Sequence, residues 1–210
     1  ILIANPEIIA NLVEANKIQF TNKEYNKINN KISIFLANNE KQLLLNEEYS
    51  PTEYNGYTKF NKEKVYNMII FLADNTILKT KLLKEMFYAD FLFYKENCKS
   101  ITGLEYCKLP FGPVPDRFET ILSKGYQEDI IDYKPVITPS KEYYEITSKK
   151  KFNKDLFTKE ELEVLDKIKK YFKNYNAKEI VDYSHKEKAF IDTNKCEKIS
   201  YDYSFDIDLK

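Results

Sequence analysis

The 210-residue chain carries 33 basic and 33 acidic side chains, 43% hydrophobic residues, one histidine, one arginine and four glycines. That size and composition suit one globular domain with a short appendage. Four scattered glycines cannot build a GxGxxG or GxxxxGK[ST] phosphate loop, a single histidine cannot build the HExxH pair, and a neutral chain with one arginine is a poor reader of DNA bases. Three cysteines, Cys98, Cys107 and Cys196, never spaced CxxC, fit neither a disulfide framework nor a structural zinc site, so no metal and no cofactor is expected. With mean hydropathy at -0.56 and no long apolar run, the expectation is a cytoplasmic protein without a membrane partner. Residue 1 is Ile rather than Met, which reads as a fragment or a processed product.

In chain order, Asn5-Pro6-Glu7 followed by Ile8, Ile9, Leu12 and Val13 predicts a short helix ending near Asn16. The capping box Thr21-x-x-Glu24 opens a second, with Tyr25, Ile28, Ile32, Phe35 and Leu36 on one face. Ser50-Pro51 and Asn55-Gly56 then mark a linker, giving a helical N-terminal segment over 1–56 and a domain over 57–210. Asn61 caps a helix bearing Val65, Met68, Ile69 and Leu72, and Thr80 is the expected cap of a longer one from about Lys81 to Lys95. Leu83, Phe87, Asp90 and Tyr94 share one face of that helix, which puts a carboxylate inside an apolar stripe.

Between Ser100 and Pro139 lie three of the four glycines and five of the seven prolines, among short apolar runs. Leu104–Cys107, Ile130–Tyr133 and Tyr143–Thr147 are predicted to form one small antiparallel sheet, with a helix from Asp116 to Lys124 in the connection. Helix returns at the capping box Thr158-x-x-Glu161 and again at Asn176, running towards Ser184-His185. The acidic, tyrosine-bearing tail past Ala189 reads as an edge strand or a loosely held end. The fold class is α+β, predominantly helical with a small antiparallel β-sheet insert.

An ionised carboxylate in an apolar stripe must be paired or shifted, so Asp90 is either a catalytic acid or the acceptor of amides in the Ile101-Thr102-Gly103 turn. Ser184, His185 and Asp90 together suggest a hydrolytic triad. Neighbours on a helix point about 100° apart, and no G-x-S-x-G elbow is present, so an enzyme is not expected. Leu109-Pro110-Phe111-Gly112-Pro113-Val114-Pro115 is a rigid stretch that serves either as a preformed partner surface or as a stiff crossover. Residues 149–178 hold ten lysines against five acids, a solvated helix face in preference to a nucleic-acid patch.

Four ordered blocks, Lys81 to Phe91, Ser100 to Tyr106, Leu109 to Pro115 and Ser184 to Glu187, resemble the SocA-like antitoxin domain, also called the Panacea domain, of bacteria and their phages. The resemblance runs from about Tyr57 to Phe190. The first 50 residues resemble the segment that follows a helix-turn-helix in longer, MqsA-related antitoxins, and that helix-turn-helix is absent here. What the resemblance implies is an antitoxin that binds and neutralises a cognate protein toxin, or, in one branch, an adaptor delivering the toxin to a protease. Autoregulation would reach DNA only through the missing helix-turn-helix, and a homodimer is a further option. By position, the motif residues are Tyr88, Asp90, Gly103, Tyr106, Gly112, Pro113, Val114, Ser184 and His185. Phe93 and Phe190 depart from the common pattern, Phe190 standing where tryptophan is frequent. Asp90, Gly103, Ser184 and His185 are expected to be structural, with Asp90 and His185 locking the β insert to the helices. Tyr88, Tyr106, Phe111, Gly112, Pro113 and Val114 are the candidates for touching a partner.

Overall fold

The computed structural model describes residues 50–137 and 142–209, with Thr21, Glu24, Tyr25 and Ile28 ahead of them. The chain divides between Tyr49 and Ser50, and the fold below is that of the second unit. The helix expected near residues 5–16 lies outside the described residues, as does most of the one after it. Its capping box is nevertheless formed: the Thr21 N–H donates to Glu24 Oε2 and the Glu24 N–H to Thr21 Oγ1.

Residues 52–57, linker by composition, are stitched to the second unit. The Tyr201 N–H donates to Glu53 O, and the Ser100 N–H to Gly56 O. Helix α1, Lys62–Leu72, starts where the Asn61 side chain accepts the Lys64 N–H, and it buries Val65, Met68, Ile69 and Leu72 as its spacing requires. A two-residue strand that periodicity does not reveal, β1 (Ile77–Leu78), follows and pairs with residues 145–146. That pairing corrects the predicted start of the next helix. Because Leu78 is held extended, α2 (Lys79–Asn97) begins directly after it, and Thr80 lies inside the helix instead of capping it.

Helix α2 is the axis of the domain. Every residue from Leu82 to Tyr94 is buried, so the apolar stripe read from the sequence is one side of a helix covered all round. It ends at Cys98, whose left-handed backbone sends its N–H back to Tyr94 O.

The predicted single sheet is two. β2 (Tyr106–Leu109) and β3 (Gly112–Pro115) form a hairpin by themselves, turning through Pro110-Phe111. β4 (Ile131–Ile137) and β5 (Glu142–Ser148) pair along their length and take β1 on the other edge, in the order β1-β5-β4. The Pro-rich stretch is therefore half strand: proline cannot donate to a ladder, and both of its strand prolines, Pro113 and Pro115, stand in β3, while the outer side of β2 takes the tail residues 196–199. Helix α3, Phe118–Gln127, joins the sheets.

Beyond the sheets come α4 (Lys159–Tyr171) and α5 (Ala177–Ser184), each opened by the capping box expected of Thr158 and Asn176, then the single turn α6 (Lys188–Ile191). Both longer helices pack on α2. The tail is docked: the Ile199 N–H donates to Tyr106 O, and Tyr201 is buried with its ring stacked on Phe91 at 4.3 Å.

Gly103 carries the sharpest backbone demand, with φ +73° and the position of a Cβ 2.6 Å from the main chain of Lys59 and Phe60. Neither strand of chain can yield, so Gly103→Ala is expected to cost about 3 kcal/mol or more in urea unfolding. An unfolding midpoint equal to wild type would contradict this close approach.

Candidate partner-binding site

Two polar clusters sit on opposite turns of α2. The first is built on Asp90, whose Oδ1 accepts the N–H groups of Ile101 (2.9 Å) and Thr102 (3.0 Å). Its Oδ2 accepts the Thr102 hydroxyl and the Tyr106 hydroxyl, the latter at 2.8 Å. The carboxylate is fully buried, which pushes its pKa up to about 6, while the four donors limit the rise. Ser100 extends the network by accepting the Gly103 N–H and donating to Asn55 O. Asp90 thus ties α2 to the 100–103 turn and to the first residue of the hairpin. His185 is not among the donors to this carboxylate.

The second cluster lies where the hairpin crosses α2 and the end of α5. Gly112, at φ +99°, brings its main chain so close that a Cβ there would sit 2.6 Å from Lys84 Cε and 2.7 Å from Ser184 Oγ. Lys84 and Ser184 are both fully buried. The Ser184 hydroxyl donates to Val181 O at 2.9 Å. His185 occupies the C-cap of α5, its ring stacked on Phe190 at 4.1 Å and nearly parallel, at 7°. Its Nε2 is buried with no hydrogen-bond partner. Burial, with the Lys84 and Lys108 charges, holds its pKa below the ordinary value against the pull of Asp182. Phe190 therefore does with one ring what an aromatic platform requires.

Sequence reasoning missed Lys84. Its signal was there: Lys84, Tyr88 and Phe91 follow one another at i, i+4 and i+7 within an otherwise apolar helix. Lys84 is fully buried, and burial pulls its pKa down to about 7. Nearby, burial raises Glu187 to about 7, and the Tyr88 hydroxyl donates to Glu187 Oε1 at 3.2 Å.

Of the residues expected to meet a partner, Tyr88 and Tyr106 are core side chains, and Gly112, Pro113 and Val114 are buried in β3. An effect of theirs on a partner would pass through packing. Phe111 differs, standing 72% exposed at the hairpin turn. Ser184, His185 and Asp90 do not converge, each being engaged as described above, so the arrangement is not that of a hydrolytic triad. No group of three or more His, Cys, Asp or Glu side chains suited to a metal occurs among the described residues. No helix among them is long and apolar enough to cross a membrane. Many of the lysines after residue 148 are in ion pairs, Lys149 with Asp129, Lys167 with Glu96 and Lys169 with Asp74.

The model of the family "Antitoxin SocA-like, Panacea domain" matches residues 82–190, more than half the chain. The chain belongs to the SocA-like antitoxin family. No curated protein and no solved structure matches it. The matched stretch runs from the first buried turn of α2 to Phe190 and so contains both the Asp90 lock and the cluster around Lys84. This Panacea domain is accordingly α+β, predominantly helical, with its family blocks gathered around one central helix.

Replacing Asp90 by Ala strands two backbone N–H groups and two hydroxyls in the core, and is expected to cost about 3–5 kcal/mol in urea unfolding. Unchanged stability with lost partner binding would instead assign Asp90 to an interface.

The buried groups also set a pH dependence. Asp90, Glu85 and Glu187 have folded pKa values raised to about 6, 7 and 7, so the stability they contribute is present below their unfolded values and lost as pH rises through those figures. Lys84 is lowered to about 7 from 10.5, so its contribution is present above its unfolded value and lost as pH falls through 7. Urea midpoints measured from about pH 5 to about pH 9 should therefore pass through a minimum near neutrality, with the alkaline rise absent in Lys84→Met. A flat profile would show that these groups are not buried as charged species.

Proposed function

We propose that this Panacea domain is an antitoxin that neutralises a cognate protein toxin by direct binding, and that it catalyses nothing. The observation that carries the reading is Phe111, a large aromatic 72% exposed at the tip of a hairpin whose flanking β3 residues are all buried. A rigid aromatic on an anchored ribbon costs little entropy to present, and aromatic side chains of that kind dominate protein interfaces. In this reading residues 57–210 are the neutralising unit and residues 1–56 an accessory segment. Operator binding falls to the helix-turn-helix of longer, MqsA-related members.

Co-expression of the chain with the toxin encoded beside it should restore growth, and the two proteins should co-purify. Phe111→Ala touches a surface residue, so the fold should be unaffected while the complex weakens by about 1–3 kcal/mol, read by calorimetry. Rescue without a stable complex would overturn direct binding in favour of protease delivery, and failure of both would overturn the antitoxin reading.

A further inference from the structure

Towards the C-terminal end of α2, Tyr94 lies ten residues beyond Lys84, roughly 15 Å along the axis, and two rings packed on it face solvent. Tyr57 is 48% exposed and Phe205 55% exposed. Both lean on the buried Tyr94, Tyr57 stacked with 6.3 Å between ring centroids and Phe205 edge-on at 6.0 Å. Tyr57 is also held at φ +50°, directly after Gly56 at +59°, in the left-handed region that a bulky side chain rarely enters. A ring half in water returns little packing for that strain, and strain of this kind gathers where a ligand is gripped. The segments that supply the two rings are tied together, since the Tyr201 N–H donates to Glu53 O, and the tail is pinned to α2 by Lys95, whose ammonium donates to Ile207 O at 2.6 Å.

The charge on this surface has one sign. Residues 199–209 hold Asp202, Asp206 and Asp208 and no basic residue. Asp206 is paired with Lys188, while the exposed Asp202 accepts the Tyr94 hydroxyl on Oδ1 at 3.2 Å. The groups whose charge reaches that hydroxyl are Asp202, Tyr57 and Cys98, none of them a cation, and with burial they push the Tyr94 pKa up to about 12. Of the lysines at this end of α2, Lys95 is spent on Ile207 O and the charge of Lys99 acts on Glu160 of α4. Aromatic faces attract cations, and a surface carboxylate adds the opposite charge, so the side chain that suits both is an ammonium or, better, a guanidinium, whose plane stacks while its fork pairs. We infer that Tyr57, Phe205 and Asp202 form a docking surface for a basic side chain, arginine foremost, of the protein toxin. The inference rests on the antitoxin reading for the owner of that side chain and on the patch itself for its chemistry. A surface pinned in advance orders little chain on binding.

The chemistry is tested with a blocked Gly-Arg-Gly peptide, its uncharged counterpart Gly-citrulline-Gly serving as control at equal ionic strength. The NMR ring signals of Phe205, identified by their loss in Phe205→Leu, should shift saturably with the arginine peptide and stay in place with the citrulline one. Asp202→Asn keeps an acceptor for the Tyr94 hydroxyl and removes the charge at an exposed position, so the urea midpoint should be unchanged while the arginine peptide binds at least roughly fivefold more weakly. Equal responses to the two peptides, or a response that survives Asp202→Asn, overturns the cation site.

The toxin complex then tests the occupant. The double variant Asp202→Asn, Phe205→Ala should weaken it by roughly tenfold or more and flatten its salt dependence. A complex as tight as wild type would overturn the toxin as occupant with the antitoxin reading intact, and so would a chain that dimerises alone and loses the dimer in the same variant, which would give the patch to a second copy. If the wild-type chain neither binds nor rescues, the antitoxin reading itself fails and takes the occupant with it, whereas the peptide titration still decides the chemistry of the patch.

Discussion

Asp90 receives every hydrogen bond its two oxygens need from a single turn and one tyrosine, and the placement of the hairpin follows from that. Without a buried acceptor in the middle of α2, the 100–103 turn would have two inward N–H groups and no reason to cross the helix where it does. The turn in turn depends on Gly103, whose missing side chain lets the 59–60 main chain lie against it. Tyr106 then enters the core with its hydroxyl on Asp90 and its ring among Phe87, Phe91 and Tyr201. Polar satisfaction and aromatic packing select the same position for the first residue of β2, and the tail residues 196–199 add hydrogen bonds along its other side. The hairpin is rigid because it is anchored at its base by chemistry of two kinds.

Six residues away on the same helix, Lys84 shows the opposite treatment of a buried charge. Six residues turn a helix through about 600°, so the two side chains emerge from different faces. One face was given four donors for its anion. The other buries an amine whose pKa is pulled down to about 7 by that burial. Desolvation at that position favours the neutral amine over the ammonium, so the two charges on this helix are handled in opposite ways.

Much of this was legible in the sequence where a local rule decides. The Asn61, Thr158 and Asn176 caps, the burial of Val65, Met68, Ile69 and Leu72, and the Asp90 acceptor for Ile101 and Thr102 follow from residue type and spacing. What escaped depends on pairing at a distance. β1 is two residues long and exists because Ile146 and Glu145 offer it a ladder, and the resulting extended backbone at Leu78 moved the helix start from Thr80. The division into two sheets, the docked tail and the crossing of Gly112 over Lys84 and Ser184 are likewise tertiary facts with no period of their own. His185, read as a helix-end or core ring that helps lock the β insert, stands at the C-cap of α5 with its ring on Phe190. It is Lys84, absent from that reading, that shares its surroundings.

The hairpin joins these two themes. Its base is fixed by Asp90 and its tip projects Phe111, while between them Gly112 lies against Lys84 and Ser184. The exposed ring at residue 111 and the buried Lys84 side chain against residue 112 are thus held at a fixed separation by one two-residue turn. For a chain with no net charge, long-range electrostatic steering is weak, and recognition has to come from short-range geometry.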